Sequence, residues 1–222
     1  MSRVIITAVD TVLRYVEGVK VWLASLAKNA PDESVIVYAQ NWDNVDSLKS
    51  INPKAQIVQI SNDSADPMVR NYIRYNLFLD LLPKYDAVAW IDNDSIVRSK
   101  LDTFWLGIEP NSVKYWRRPK RDHLCFQGGV FILGAGARTV WYCQAIIDKL
   151  KNISEDDNDR WYAPQLLAYT EIRAAGIESI QLSQKFNDST FKDDSVIWHC
   201  KSSHFNEDKY QKEYKKYLKE LL

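Results

Sequence analysis

The sequence predicts an α/β domain with a mostly parallel central sheet flanked by helices and a small C-terminal part of mixed strands. Three observations carry this. Strand-length β-branched runs alternate with helical-period stretches through the first ninety residues, the pattern of β–α–β crossovers. The run Ala87–Ile91 (AVAWI) is apolar without polar alternation, as a strand buried on both faces requires. The 222 residues are 46% hydrophobic and 26% charged, and no Pro-, Gly- or Ser-rich linker divides them, so one core and one domain over residues 1–222 are expected.

The elements follow in order. Arg3–Val9 (RVIITAV) reads as the first strand, and Thr11 stands where a helix cap belongs. Val12, Val16, Val19, Leu23 and Leu26 recur at helical spacing over residues 12–28. Pro31-Asp32 marks a turn before a second strand at 34–39. A short helix at 43–50, a turn at Asn52-Pro53 and a third strand at Gln56–Ile60 come next. Residues 68–82 read as a helix stopped by Pro83, and Ala87–Ile91 is the fourth strand. Beyond it the pattern is less regular. Strands are expected at 113–116, 129–133 and 196–198, and helices at 138–151, 162–175 and 207–222. The acidic run 155–159 is the one low-complexity stretch.

Charge and cysteine content exclude several classes. Lys+Arg and Asp+Glu are 29 each, so the surplus of cations that drives nucleic-acid or anionic-membrane binding is missing. No run of about 18 apolar residues suggests a membrane span. The start, charged by Arg3, does not read as a signal peptide. Cys125, Cys143 and Cys200 have no CxxC spacing, which points to a reducing, cytoplasmic setting. Eight Trp and twelve Tyr suit surfaces that stack on rings.

The candidate chemistry begins at Asp92-Asn93-Asp94, directly after the buried strand. Residues at i and i+2 of an extended segment point to one side, and the carboxyl ends of such strands are where open α/β sheets bind ligands. Two converging carboxylates call for a cation, and hard oxygen donors select Mg²⁺ or Mn²⁺, commonly completed by substrate phosphates. The same tripeptide is also a turn composition. Arg70 and Arg74 share a helix face and are suited to phosphate, or are solvated charges. Gly128-Gly129 lets a backbone approach a ligand, or marks a bulge. His199 ends a short apolar run and is followed by Lys201 and His204; imidazole ligates metals readily, although a histidine at a strand end is often structural.

Together these segments resemble a known group. The helix–Pro–strand–Asp-x-Asp passage over 67–97 is similar to that of nucleotide-sugar glycosyltransferases of the GT-A (Rossmann-like) fold, and within them to glycosyltransferase family eight, the glycogenin and bacterial galactosyltransferase type. Residues 126–133 resemble the family's Phe-Asn-Ala-Gly-Val strand, residues 196–201 its C-terminal Ile-His block, and Arg3–Val9 its first strand. The resemblance implies a metal held by Asp92, Asp94 and His199, with Asp92 also toward the ribose and Asn93 in the same nucleotide-binding turn. It implies a base lined by Thr7, Ala8 and Val9, and a diphosphate met by Lys201 and by Arg74 or Arg70. Gly128 and Gly129 would lie against the donor. Three departures stand out: Gln127-Gly128 replaces Asn-Ala, Pro164-Gln165 replaces Asp-Gln, and the Lys-Pro-Trp ending is replaced by Ser202-Ser203-His204-Phe205.

The implied activity is transfer of a hexose from a nucleoside-diphosphate sugar, with UDP-hexose expected, to a carbohydrate or other hydroxyl acceptor. A cation with Lys and Arg would stabilise the charge growing on the leaving diphosphate. An inverting enzyme needs a carboxylate base, for which Asp122, Asp157 and Asp159 are candidates. A retaining one, as in family eight, would set Gln165 or backbone near Gly128 against the sugar. Trp116, Trp161 and Tyr162 are candidates for stacking on sugars. One rival is a nucleotidyltransferase, which expects a glycine-rich basic loop after the first strand, where Ala8-Val9-Asp10-Thr11 has no glycine. The other is a non-catalytic carbohydrate-binding domain.

Overall fold

A computed structural model describes residues 1–10, 13–42, 45–60, 67–119, 125–153, 163–200 and 204–221, with backbone alone for 13–15 and 67–72. The elements in chain order are β1 Arg3–Val9, α1 Leu13–Asn29, β2 Val35–Gln40, α2 Asp46–Lys49, β3 Gln56–Ile60, α3 Pro67–Leu81 and β4 Ala87–Ile91. After these come β5 Ser95–Val97, β6 Ser112–Arg117, β7 Phe126–Gly134, α4 Ala137–Leu150, α5 Ala163–Ala174 and β8 Glu178–Gln181. A 3₁₀ turn at Gln184–Phe186, β9 Ile197–His199 and α6 Asp208–Glu220 complete the chain. Among the described residues, seven strands form a mostly parallel sheet of order β3-β2-β1-β4-β7-β6-β8, and β5 and β9 form a separate pair. The chain divides into two compact units, each assembled from separated stretches.

The first unit comprises Val4–Asn62, Ile91–Phe104 and Gln184–Leu222. β1 and β2 run parallel with Ile5 opposite Val35 and Val9 opposite Ala39, and β2 pairs in the same sense with β3. Every residue of β2 is buried, whereas Gln56 and Gln59 of the outermost strand β3 are exposed, as expected of an inner strand and an edge. α1 turns Val19, Trp22, Leu23 and Leu26 inward, each worth about 1.5–3 kcal/mol when fully buried. Its C-terminal half also holds β5. Ser25 Oγ accepts from Val97 N at 3.1 Å, and Asn29 Nδ2 donates to Val97 O and Tyr217 Oη, both at 2.8 Å. α6 presents Tyr210, Tyr214 and Tyr217 at i, i+4, i+7 to a core of Val21, Ile96, Phe191, Trp198 and Cys200. Its lysines face outward, Lys209 pairing with Asp193 at 2.7 Å.

The second unit comprises Met1–Arg3, Asp63–Trp90 and Trp105–Ser183. β6 pairs antiparallel with β7, shifting register between Tyr115 and Arg117, and parallel with β8. α3 packs against α4, and α4 against α5. The interior is aromatic: Phe131 lies 5.1 Å from Phe78 and 5.3 Å from Phe126, ring centre to ring centre, and Phe126 stacks on Tyr115 at 4.6 Å. Tyr142 satisfies its buried hydroxyl on Ala168 O at 3.1 Å.

The expected strands and helices are present, with shifted ends. The strand read at 129–133 extends over Phe126–Gly134, fully buried, because its polar entry Gln127 is enclosed with it. The helix read at 43–50 is the single turn Asp46–Lys49. Three elements are added: β5, β8 and the 3₁₀ turn. Each has three or four residues, too few for periodicity to register. Thr11, Lys201, Asp122, Asp157, Asp159, Trp161 and Tyr162 lie outside the described residues. No helix among the described residues is long and apolar enough to cross a membrane.

Candidate metal centre

The chain turns immediately after Ile91, with Ser95 N donating to Asp92 O at 3.1 Å. β5 then leaves the turn, and β9 pairs antiparallel with it, setting His199 opposite Ser95. This short ladder brings a histidine more than a hundred residues away to within one residue of Asp94. His199 Nε2 lies 3.2 Å from Asp92 Oδ2 and 3.6 Å from Asp94 Oδ1. One ligand atom from each of the three falls within 4.8 Å of the other two. The imidazole is almost wholly enclosed, with its side chain 8% exposed, while the carboxylates keep 26% and 32%, so the trio opens on the carboxylate side.

The turn is fixed from several directions within the same unit. Asn93 Nδ2 donates to Ala8 O at 2.8 Å, binding the turn to the end of β1. Asp94 O accepts from Tyr210 Oη at 2.8 Å and from Cys200 N at 3.2 Å. α1 passes so closely that a Cβ on Gly18 would lie 3.1 Å from Asn93 O. Behind the imidazole, His199 Nδ1 lies 2.9 Å from Asn187 Oδ1. The neighbouring Asp188 is fully buried. Its carboxylate accepts from Thr190 N at 2.8 Å, Thr190 Oγ1 at 2.6 Å, Lys192 N at 2.7 Å and Ser195 Oγ at 2.6 Å. Burial alone would raise its pKa, but these hydrogen bonds outweigh it and hold the carboxyl below its ordinary range. Cys200 is no ligand in waiting: burial, assisted by the Asp94 charge, pushes its thiol up to about 12.

The three residues fit a hard divalent cation. Neighbouring ligands of an octahedral ion at about 2.1 Å stand about 3 Å apart, close to the two separations from Nε2. Two carboxylate oxygens and one imidazole suit Mn²⁺ or Mg²⁺ and leave further positions for a substrate. Thr7, Ala8 and Val9 lie in the same unit at the carboxyl end of β1. Thr7 Oγ1 is buried there without a hydrogen-bond partner among the described residues.

A second group of the expected residues meets inside the other unit. Arg74 stacks its guanidinium over Trp90, 4.4 Å from the ring centre, and Nη1 donates to Gly128 O at 2.8 Å. A Cβ on Gly128 would stand 3.0 Å from Arg74 Nη1 and 3.9 Å from Gln165 Cγ. Gln165 Oε1 is buried without a hydrogen-bond partner among the described residues, and Gly129 is buried in β7. Arg70 lies on α3, and its side chain is outside the description. Sequence reasoning missed Asn187, Asp188, Tyr210, Gly18 and Trp90. Asn187-Asp188-Ser189-Thr190 carries turn chemistry, but nothing along the chain tells which histidine it would meet.

No protein-family model and no curated protein sequence matches the chain. Solved structures do. The glycosyltransferase GlyE of Streptococcus pneumoniae TIGR4 matches 99% of this chain at 16% identity and TM-score 0.65. The galactosyltransferase LgtC, solved with donor and acceptor sugar analogs, matches 99% at 11% identity and 0.64. The bifunctional glycosyltransferase WbbM matches 98% at 12% identity and 0.66. This chain spans 62% of GlyE, 95% of LgtC and 49% of WbbM. The fold is thus the GT-A fold that the helix–strand–Asp-x-Asp passage led us to expect.

Proposed function

We propose that this chain, as one domain, is a divalent-cation-dependent glycosyltransferase that moves a hexose from a nucleoside-diphosphate sugar, with UDP-hexose as donor, to a carbohydrate or other hydroxyl acceptor. The observation that carries the reading is the convergence of Asp92, Asp94 and His199 on one cation-sized space in a chain of this fold. Three buried cysteines with no disulfide between them support a reducing, cytoplasmic setting.

Breaking the sugar–phosphate bond leaves the bonding electrons on the diphosphate. The bound Mn²⁺ or Mg²⁺ supplies Lewis-acid stabilisation of that charge. Asp92, Asp94 and His199 hold it, and Asn93 fixes the turn that carries two of them. Thr7 offers a buried hydroxyl beside the strand end assigned to the base, with Ala8 and Val9. Arg74, or Arg70, and Lys201 add cationic charge for the diphosphate. Gly128 and Gly129 allow close backbone approach to the donor. Gln165 is assigned to the sugar in a retaining reaction, and Asp157 is the base if the reaction inverts.

The test is release of nucleoside diphosphate from a panel of nucleotide-sugars with Mn²⁺, for the wild type and Asp94→Ala. UDP-glucose or UDP-galactose should be turned over. Asp94→Ala should stay folded and lose at least about 100-fold, roughly 2.7 kcal/mol of barrier. Undiminished turnover in Asp94→Ala would overturn the metal assignment. Pyrophosphate release from a nucleoside triphosphate and a sugar phosphate would indicate a nucleotidyltransferase instead.

A further inference from the structure

We propose that Asn187 is the positioning residue of this centre: its carboxamide selects the tautomer of His199 that presents a bare Nε2 to the cation. The inference rests on the reading of His199 as a metal ligand. An amide oxygen only accepts hydrogen bonds. With Asn187 Oδ1 at 2.9 Å from His199 Nδ1, this oxygen accepts from a hydrogen on Nδ1, which leaves the Nε2 lone pair for a cation held beside Asp92 and Asp94. Turned the other way, the amide would donate to Nδ1, move the hydrogen to Nε2 and close that nitrogen to a cation.

Asn187 is held in place through its backbone. It is fully buried, so water does not compete for its carboxamide. Its own N–H donates to Gln184 O at 3.0 Å. The next residue brackets β9: Asp188 N donates to Ile197 O at 3.2 Å, and His199 N donates to Asp188 O at 2.9 Å. Backbone bonds thus fix the histidine and its partner relative to each other, while the Asp188 carboxylate pins the following loop through Thr190, Lys192 and Ser195. Partners behind a metal-ligating histidine set ring orientation and basicity, and losing one typically costs 10–100-fold in affinity.

The experiment is a double-mutant cycle on Mn²⁺ affinity in the presence of UDP, read from the free Mn²⁺ resonance, with thermal melting as a fold control. Asn187→Leu removes the acceptor at similar volume and should weaken Mn²⁺ binding about 10–100-fold. Asn187→Asp keeps an acceptor for Nδ1–H and should bind as well as the wild type or better. In a His199→Ala background, Asn187→Leu should add nothing. If Leu fails to give folded protein, Asn187→Ala takes its place in the same cycle. A Leu or Ala loss that persists at full size in the His199→Ala background, or an Asp variant as weak as Leu, would overturn the inference. Wild-type affinity in Asn187→Leu would do so as well. If His199→Ala itself leaves Mn²⁺ affinity unchanged, it is the ligand reading that falls.

Discussion

Replacing Asp188 by asparagine tests whether the loop behind the histidine is held by a carboxylate. The two oxygens of Asp188 accept four hydrogen bonds: Oδ1 from Thr190 N and Oγ1, Oδ2 from Lys192 N and Ser195 Oγ. In the Asp188→Asn variant one of these oxygens becomes an NH₂ group. Where it replaces Oδ2, Ser195 can rotate to accept from it, but the N–H of Lys192 cannot. One part-buried donor is therefore stranded, at about 1–3 kcal/mol, and the remaining bonds lose their charge assistance, which roughly halves them. The expected loss is about 3 kcal/mol, or roughly 6–12 °C in Tm at about 2–4 °C per kcal/mol for this chain length. The pH dependence has a definite sign. The folded pKa of Asp188 is depressed, so the unfolded chain binds the proton more readily. The contribution is present above the unfolded value near about 3.9 and is lost as pH falls through the folded one. Urea unfolding of both proteins at pH 7 and at successively lower pH should show a gap that narrows below about pH 4. A gap under about 0.5 kcal/mol at pH 7, in the range of ordinary surface substitutions, or one indifferent to acid, would refute the reasoning.

Other outcomes follow from the same contacts. UDP with Mn²⁺ at about 100 times its Kd should add roughly 2.7 kcal/mol, raising Tm by about 5–11 °C; UDP with EDTA should do far less, and equal shifts would remove the metal bridge. Gly18→Ala gains about 1 kcal/mol of helix propensity but sets its Cβ 3.1 Å from Asn93 O, between Asp92 and Asp94. Stability should change little while Mn²⁺ affinity in a UDP titration falls several-fold, and unchanged affinity would count against the close approach. All three thiols are buried, and Cys200, held at about 12, is thiolate in roughly one molecule in ten thousand at pH 8. A disulfide reagent should therefore find no thiol in the folded protein and three after denaturation; rapid reaction of one equivalent from the folded state would contradict the enclosure.

The sequence disclosed the site in proportion to how local its signals were. Asp92 and Asp94 follow an apolar strand, so the carboxyl-edge rule pointed to them, but the tripeptide forms the turn its composition also suggested, with Ser95 N donating to Asp92 O, and not the extended segment that the i, i+2 rule assumes. His199 came from order and resemblance, since no local pattern joins residues 94 and 199. What joins them is β5 pairing with β9, three residues against three, and strands that short leave no periodicity. Arg74 was legible as a helical arginine, suited to phosphate or left as a solvated charge, but its stacking on Trp90 and bond to Gly128 O depend on tertiary packing. Asn187 and Asp188 lie in a segment of turn composition that nothing local ties to His199. Gly18 sits at an ordinary helical position, and its reason, the carbonyl of Asn93, lies far along the chain.

The most direct measurement is pulsed electron paramagnetic resonance of Mn²⁺ bound to the protein with UDP. The account predicts one bound Mn²⁺ per chain, coupled to ¹⁴N from the imidazole of His199 and to ³¹P from the diphosphate. His199→Ala should lose the nitrogen coupling, and His204→Ala should keep it, because His204 pairs instead with Glu207. Bound Mn²⁺ with phosphorus coupling alone in the wild type, or nitrogen coupling that survives His199→Ala, would contradict the centre described here.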